Sequence, residues 1–190
     1  AANRADVISM CLGGYGYSIA EEQALGKAYA TAVIVAAAGN DGHDLTGYHC
    51  MFDAPMYPAA FQFVLGVEAS ANKQGSLASF SNFDADGPIF SQYSSETQLY
   101  NYELRAPGVN VVSTFPGGQY RELNGTSMAC PLAAGAISRL LMHKEYDSWE
   151  ILFGDLIHTR TNRTGNIDMK AAYDITEADR KPTLSLVTYQ

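Results

Sequence analysis

Cysteine is scarce in this chain: 190 residues hold only three, Cys11, Cys50 and Cys130. An odd, sparse set with no CxxC pair excludes a disulfide framework and a thiolate zinc site, and leaves free thiols as the plain reading. Positive charge is also short. Twelve Lys and Arg face 20 Asp and Glu, a formal net charge of −8. Phosphate would be repelled, so neither nucleic acid nor an anionic membrane surface is an expected partner. Long apolar runs are missing too. The longest, AVIVAAA from Ala32 to Ala38, falls far below the ~20 residues that span a bilayer. No basic-then-apolar leader opens the chain; AANRADVISM reads as the middle of a domain. Neither repeats nor low-complexity tracts occur. What remains, with 47% hydrophobic residues, has the composition of one folded domain.

The first half alternates strand and helix. ADVISM is a short apolar run that stops at LGGYG, and a helix is expected over about 20–32, with Leu25, Ala28, Tyr29 and Ala32 on one face. VIVAAAGN is a β-branched run that ends at Gly39–Asn40. Continuous apolar runs of this kind suit strands buried on both faces, so a mostly parallel sheet flanked by helices, an α/β fold, is the economical expectation. A polar loop follows over 41–58. FVLGVEAS is read as a third strand, SLASFS (76–81) as a fourth, exposed one, and 82–102 as an irregular insertion. VNVVSTF (109–115) is another strand, with GGQY as a turn beside it. The longest helix is expected over about 127–144, with shorter ones near 148–156 and 169–173. The domain is placed at 1–176, with 177–190 as a tail or linker.

NGTSMACP (124–131) sets Ser127 where a strand-like segment turns into a helix. Unpaired N–H groups and the dipole at a helix N-terminus favour negative charge, such as a tetrahedral oxyanion. Pro131 is expected in the first helical turn, where a missing N–H costs little. Read alone, Ser127 suits two roles: nucleophile, or simple N-cap. A G-x-S-x-G elbow is excluded, because Ala129 occupies the second glycine position.

NGTSMACP resembles the nucleophile motif of the subtilisin-like serine proteases, and AAAGNDG (36–42) resembles their oxyanion-hole motif. VISMCLGG resembles the strand that pairs with substrate backbone. ELRAPGVNVVSTFPGGQY, MYPAAFQFVLGVEAS, ASFSNF and GNIDMKAAY follow in the family's order, so the resemblance runs from about Ala5 to Tyr173. It implies a serine endopeptidase acting through an acyl-enzyme, with Ser127 as nucleophile. Asn40 and the backbone N–H of Ser127 would be the oxyanion donors. Cys11, Leu12, Gly13 and Gly14 would be the substrate-pairing strand, and Met56 the floor of the specificity pocket, shortened so that small or medium side chains fit. Tyr57–Pro58 resembles a cis-proline of the family. A dinucleotide loop at LGGYGYSI is the weaker reading, since Ile19 stands in its third glycine position.

The pattern departs from the family in what it lacks. Its Asp-Ser/Thr-Gly and His-Gly-Thr motifs, expected before the substrate strand, are not in this sequence; Asp6 has the wrong context. His43, His49, His143 and His158 all follow that strand and read as ordinary histidines. Without a base, Ser127 is a poor nucleophile. The expectation is therefore a partial subtilisin-like fold lacking the N-terminal strands, inactive alone, whose partners are a peptide or protein substrate and the missing N-terminal half of the domain. Alternatives are a non-catalytic peptide-binding module and, more remotely, an unrelated serine esterase. The strand at Val7–Met10 would be an open sheet edge, inviting self-association. Leu132 replaces a family histidine, which should alter packing behind the nucleophile. No cofactor and no metal are expected: Ala59, Phe61, Val64 and Glu103 align only loosely with a family cation site, and Asp84-Ala85-Asp86-Gly87 lacks EF-hand spacing. An extracellular or cell-envelope location rests on the resemblance alone.

Overall fold

In the computed structural model, the described residues are 5–44, 55–72, 74–83, 104–159 and 167–174. Four parallel strands form the main sheet: β1 (Val7–Met10), β2 (Val33–Ala37), β3 (Val64–Ser70) and β4 (Leu104–Pro107), in the order β1-β2-β3-β4. Helix α1 (Ile19–Tyr29) connects β1 to β2, as the alternating pattern requires of parallel neighbours. Ser18 caps α1, its hydroxyl accepting from the Glu21 N–H at 3.3 Å. An exposed antiparallel hairpin, β5 (Val111–Phe115) and β6 (Gln119–Leu123), leads into α2 (Thr126–Leu141). Helices α3 (Trp149–Thr159) and α4 (Met169–Asp174) complete the described elements.

Strand alternation divides the core into two layers. Val33, Val35 and Ala37 of β2 pack with Leu65 and Val67 against Ala129, Cys130, Ala133 and Ile137 of α2. Ile34, Ala36 and Ala38 lie in a second cluster with Met56, Tyr57, Phe61 and Phe63, flanked by Leu25, Ala28 and Tyr29 of α1. The expected face of α1 is thus correct, although Ala32 lies beyond the helix end. Helix α2 crosses all four strands. Its buried face carries the small residues Ala129, Cys130, Ala133 and Ala134, and its N-terminus meets the chain just past β1 and β2 through Cys11 and Asn40.

Several expectations need correction. Residues 76–81 are not an exposed strand. The chain turns back after β3 through a Ser70–Leu77 bridge, and Ala78 and Ser81 are buried. Ser81 Oγ there accepts from the Ala69 N–H at 2.9 Å, so this serine serves the sheet, while Ser76 and Ser79 stay exposed. The turn read at GGQY is confined to its glycines; Gln119 and Tyr120 belong to β6. Strand β4 is masked in the sequence by Arg105 and Pro107, and Arg105 is tolerated because its guanidinium bonds Glu68 of β3 at 2.8 Å. Strand β1 is only partly buried, because it stands at one end of the described sheet. Most of the insertion at 82–102 and all of the tail at 177–190 lie outside the described residues.

Candidate active site

Strand β2 is wholly buried and delivers Gly39 and Asn40 at its C-terminal end, beside the start of α2. Gly39 has φ +106, a conformation open to glycine but strained for other residues. A Cβ there would also meet Asn82 Nδ2 at 2.3 Å and Met56 Cε at 2.7 Å. That backbone turn sends the Asn40 side chain to α2. Asn40 Oδ1 accepts from the Thr126 N–H at 2.8 Å and from the Thr126 hydroxyl at 3.0 Å. In return, the Gly39 N–H donates to Thr126 Oγ1 at 3.2 Å.

Two consequences follow. The N-cap of α2 is Gly125, which has no side chain, and Asn40 supplies the capping acceptor from a distant part of the chain. Ser127 is therefore not the N-cap, which removes the simpler of its two readings. With Oδ1 committed to Thr126, the orientation of the Asn40 amide is fixed, and its NH₂ is the group left to donate elsewhere.

Ser127 lies in the first turn of α2, half-buried, and no histidine hydrogen-bonds to it among the described residues. Its own N–H is one of the first-turn donors that no preceding helical carbonyl serves. Pro131 corrects the sequence reading: α2 begins at Thr126, so this proline stands inside the helix rather than in its first turn. Lacking an N–H, it leaves the Ser127 carbonyl without the usual i+4 donor. The Cys11 thiol takes that place, donating to Ser127 O at 3.3 Å. Nucleophile candidate and substrate-strand candidate are thereby in contact.

Residues 11–14 follow β1 directly. Gly14 exchanges two backbone hydrogen bonds with Tyr57, N–H to Tyr57 O at 2.9 Å and O from Tyr57 N–H at 2.8 Å. That pairing argues against the dinucleotide-loop reading, since Gly14, the first glycine of that pattern, is bonded to Tyr57 and α1 has its own cap at Ser18. A Cβ on Gly13 would lie 2.8 Å from Met56 Sδ and 2.9 Å from Tyr57 O. Met56, buried, thus packs between Gly13 and Gly39. Leu12 is 58% exposed and Cys11 is exposed. The Tyr57–Pro58 bond is cis, as expected.

Cys130 is fully buried beneath β1, within hydrogen-bonding distance of Ser9 Oγ at 3.4 Å and directed also to Met10 O and Val35 O. Burial pushes its thiol up to about 11, so it stays protonated and inert at neutral pH. His43 packs its ring on Tyr15 and has a buried Nδ1 without a hydrogen-bond partner. His49 lies outside the described residues, and His143 follows the C-terminal end of α2. Leu132 follows Pro131 in α2 and is 45% exposed. The Phe61 carbonyl accepts from the Val64 N–H, and Glu103 and Asp84 to Gly87 lie outside the described residues. No cluster of three His, Cys, Asp or Glu suited to a metal occurs among the described residues.

Sequence reasoning missed three residues that organise this region: Thr126, Tyr15 and Asn82. Thr126 could have been found beside the serine in NGTS. Asn82 had only its place in ASFSNF as a signal, since its side-chain partners are 39 to 67 residues away.

The family model described as "Subtilase family" matches residues 1–173. Subtilisin DY from Bacillus licheniformis is 42% identical over 141 residues, covering 73% of this chain and 43% of that protein. The subtilisin of Bacillus pumilus is 36% identical over 151 residues, 78% of this chain and 46% of that one. The chain therefore spans under half the length of these curated relatives. Among solved structures, the prenylagaramide maturation protease PagA superposes with a TM-score of 0.69 at 22% identity, covering 91% of this chain and 62% of that one. At that identity the likeness speaks to fold, and its coverage matches a partial fold.

Proposed function

The chain belongs to the subtilase family, and from that premise we propose that it is the nucleophile and oxyanion portion of a serine endopeptidase. One observation carries the reading: the Asn40 amide is docked through Oδ1 on Thr126, the residue before Ser127. Ser127 Oγ would attack the scissile carbonyl carbon and surrender its proton to a base, giving a tetrahedral oxyanion. The Asn40 NH₂ and the Ser127 N–H would donate to that oxygen. Collapse of the intermediate expels the amine, which receives from the base the proton taken from Ser127, and leaves an acyl-enzyme, which water hydrolyses to the acid and free Ser127. Residues 11–14 would pair with the substrate backbone, and Met56 would close the adjacent pocket.

The base is to be supplied by residues outside this chain, because its sequence has no His-Gly-Thr motif and Ser127 meets no histidine among the described residues. The same observation favours the second reading, a peptide-binding module without catalysis. A fluorophosphonate probe separates the two. This chain alone should remain unlabelled, and a longer protein carrying the family's Asp and His motifs should be labelled at Ser127. Labelling of the short chain would overturn the account of the missing base; a longer protein that stays unlabelled would favour the binding module.

Pocket depth gives another expected outcome. Met56→Gly in the active protein should raise kcat/KM for large aromatic side chains before the scissile bond, relative to small ones, by about 10-fold or more. A peptide library would report this, and an unchanged preference would remove Met56 from the pocket.

A further inference from the structure

Asn82 spends every polar atom of its side chain on the short loop around Asn40. Its Oδ1 accepts from the Asp41 N–H and the His43 N–H, both at 3.0 Å. Its Nδ2 donates to Ala38 O at 2.9 Å and to the Tyr15 hydroxyl at 3.0 Å. Its backbone N–H donates to Gly39 O at 3.0 Å. The Tyr15 hydroxyl in turn donates to the Asp41 carboxylate. Backbone groups on both sides of Asn40 are thus held by one residue that is 1% exposed, while the Asn40 side chain is free of it.

A surface loop does not need this arrangement. Oδ1 with two acceptor sites and NH₂ with two donors are all satisfied, a rigid network whose members have one geometry. The same side chain lies against the α-carbon of Gly39, where no Cβ would fit. Through Tyr15 it also reaches the chain that follows residues 11–14. We propose that Asn82 is a positioning residue for catalysis: it fixes the loop of residues 38–43 so that the Asn40 amide is held in place before the oxyanion forms. This rests on the function proposed above, with Asn40 as a donor to the oxyanion. A donor displaced by about 1 Å can cost on the order of 100-fold in rate.

The test is a double-mutant cycle in the whole active protein. Asn82→Ala should lower kcat by about 10- to 100-fold with KM within about twofold. In an Asn40→Ala background, the same change should lower kcat by less than about twofold, because there is no longer a donor to position. A merely structural residue would cost the same factor in both backgrounds, and that result, or no loss in kcat, overturns the inference. Should the alanine variant fail to fold, Asn82→Asp keeps the size and both acceptor bonds while losing the donors to Ala38 O and Tyr15, and goes through the same cycle. Ser127→Ala is the control: if hydrolysis survives it, the proposed function itself falls, whereas abolished hydrolysis with additive Asn82 and Asn40 effects removes only this inference.

Discussion

Ser127→Ala in the whole active protein should lower kcat by about six orders of magnitude, a figure carried over from subtilisin, a member of this same family, where loss of the nucleophile has that effect. KM should change little, since the hydroxyl contributes to bond-making rather than to holding the peptide. The folded state should be indifferent to the change. Ser127 does not cap α2, its hydroxyl makes no hydrogen bond among the described residues, and alanine is a good helix former. Thermal unfolding should therefore shift by no more than about 0.5 kcal/mol, against the ~1 kcal/mol expected for loss of a serine N-cap. Steady-state kinetics and a melting curve on one variant thus examine the chemical role and the structural alternative together. Activity within about 100-fold of the unmodified protein would end the assignment.

Asn40 should behave differently, because its two ends have different tasks. Asn40→Ala removes both. Loss of the donor should cost about 100- to 1,000-fold in kcat, again a figure known from subtilisin. Loss of Oδ1 leaves the Thr126 N–H and hydroxyl without their acceptor, which should destabilise the fold by about 1–2 kcal/mol. Asn40→Asp separates these effects. A carboxylate still accepts from Thr126 and suits a helix N-terminus, so stability should be kept or slightly raised. It offers no N–H to an oxyanion and repels one, so kcat should fall at least as far as in the alanine variant. A stable, slow Asn40→Asp protein beside a less stable, slow Asn40→Ala protein is the expected pair. Equal rates in Asn40→Asp and the unmodified protein would contradict the donor role.

How much of this is legible in the sequence depends on the range of the interaction. Strand β2 and helix α2 are plain, because an unbroken apolar run and a small-residue helix carry their burial in local pattern. Strand β4 is not, since a four-residue strand with Arg105 and Pro107 looks polar until Glu68 is placed beside it. SLASFS looks like a strand because its alternation is real, yet the chain turns there and buries Ser81 against β3. The motif residues Ser127 and Asn40 stand out through family resemblance, but nothing local announces that Asn40, 86 positions before Thr126, caps the helix on which Ser127 sits. Asn82 is invisible for the same reason. A side chain whose function is to bond four backbone and phenol groups elsewhere has no periodicity to betray it.

The contact between the Cys11 thiol and the Ser127 carbonyl has a practical side. Inhibitor profiling commonly sorts proteases by the reagents that silence them. On the proposed reading, an exposed sulfur forms part of the substrate channel's wall, one hydrogen bond from the attacking residue. Mercurials or maleimides that add bulk to that sulfur would block peptide entry without touching the hydroxyl. On that reading, inactivation by such compounds would mimic a cysteine-protease fingerprint although the proposed attacking group is a hydroxyl.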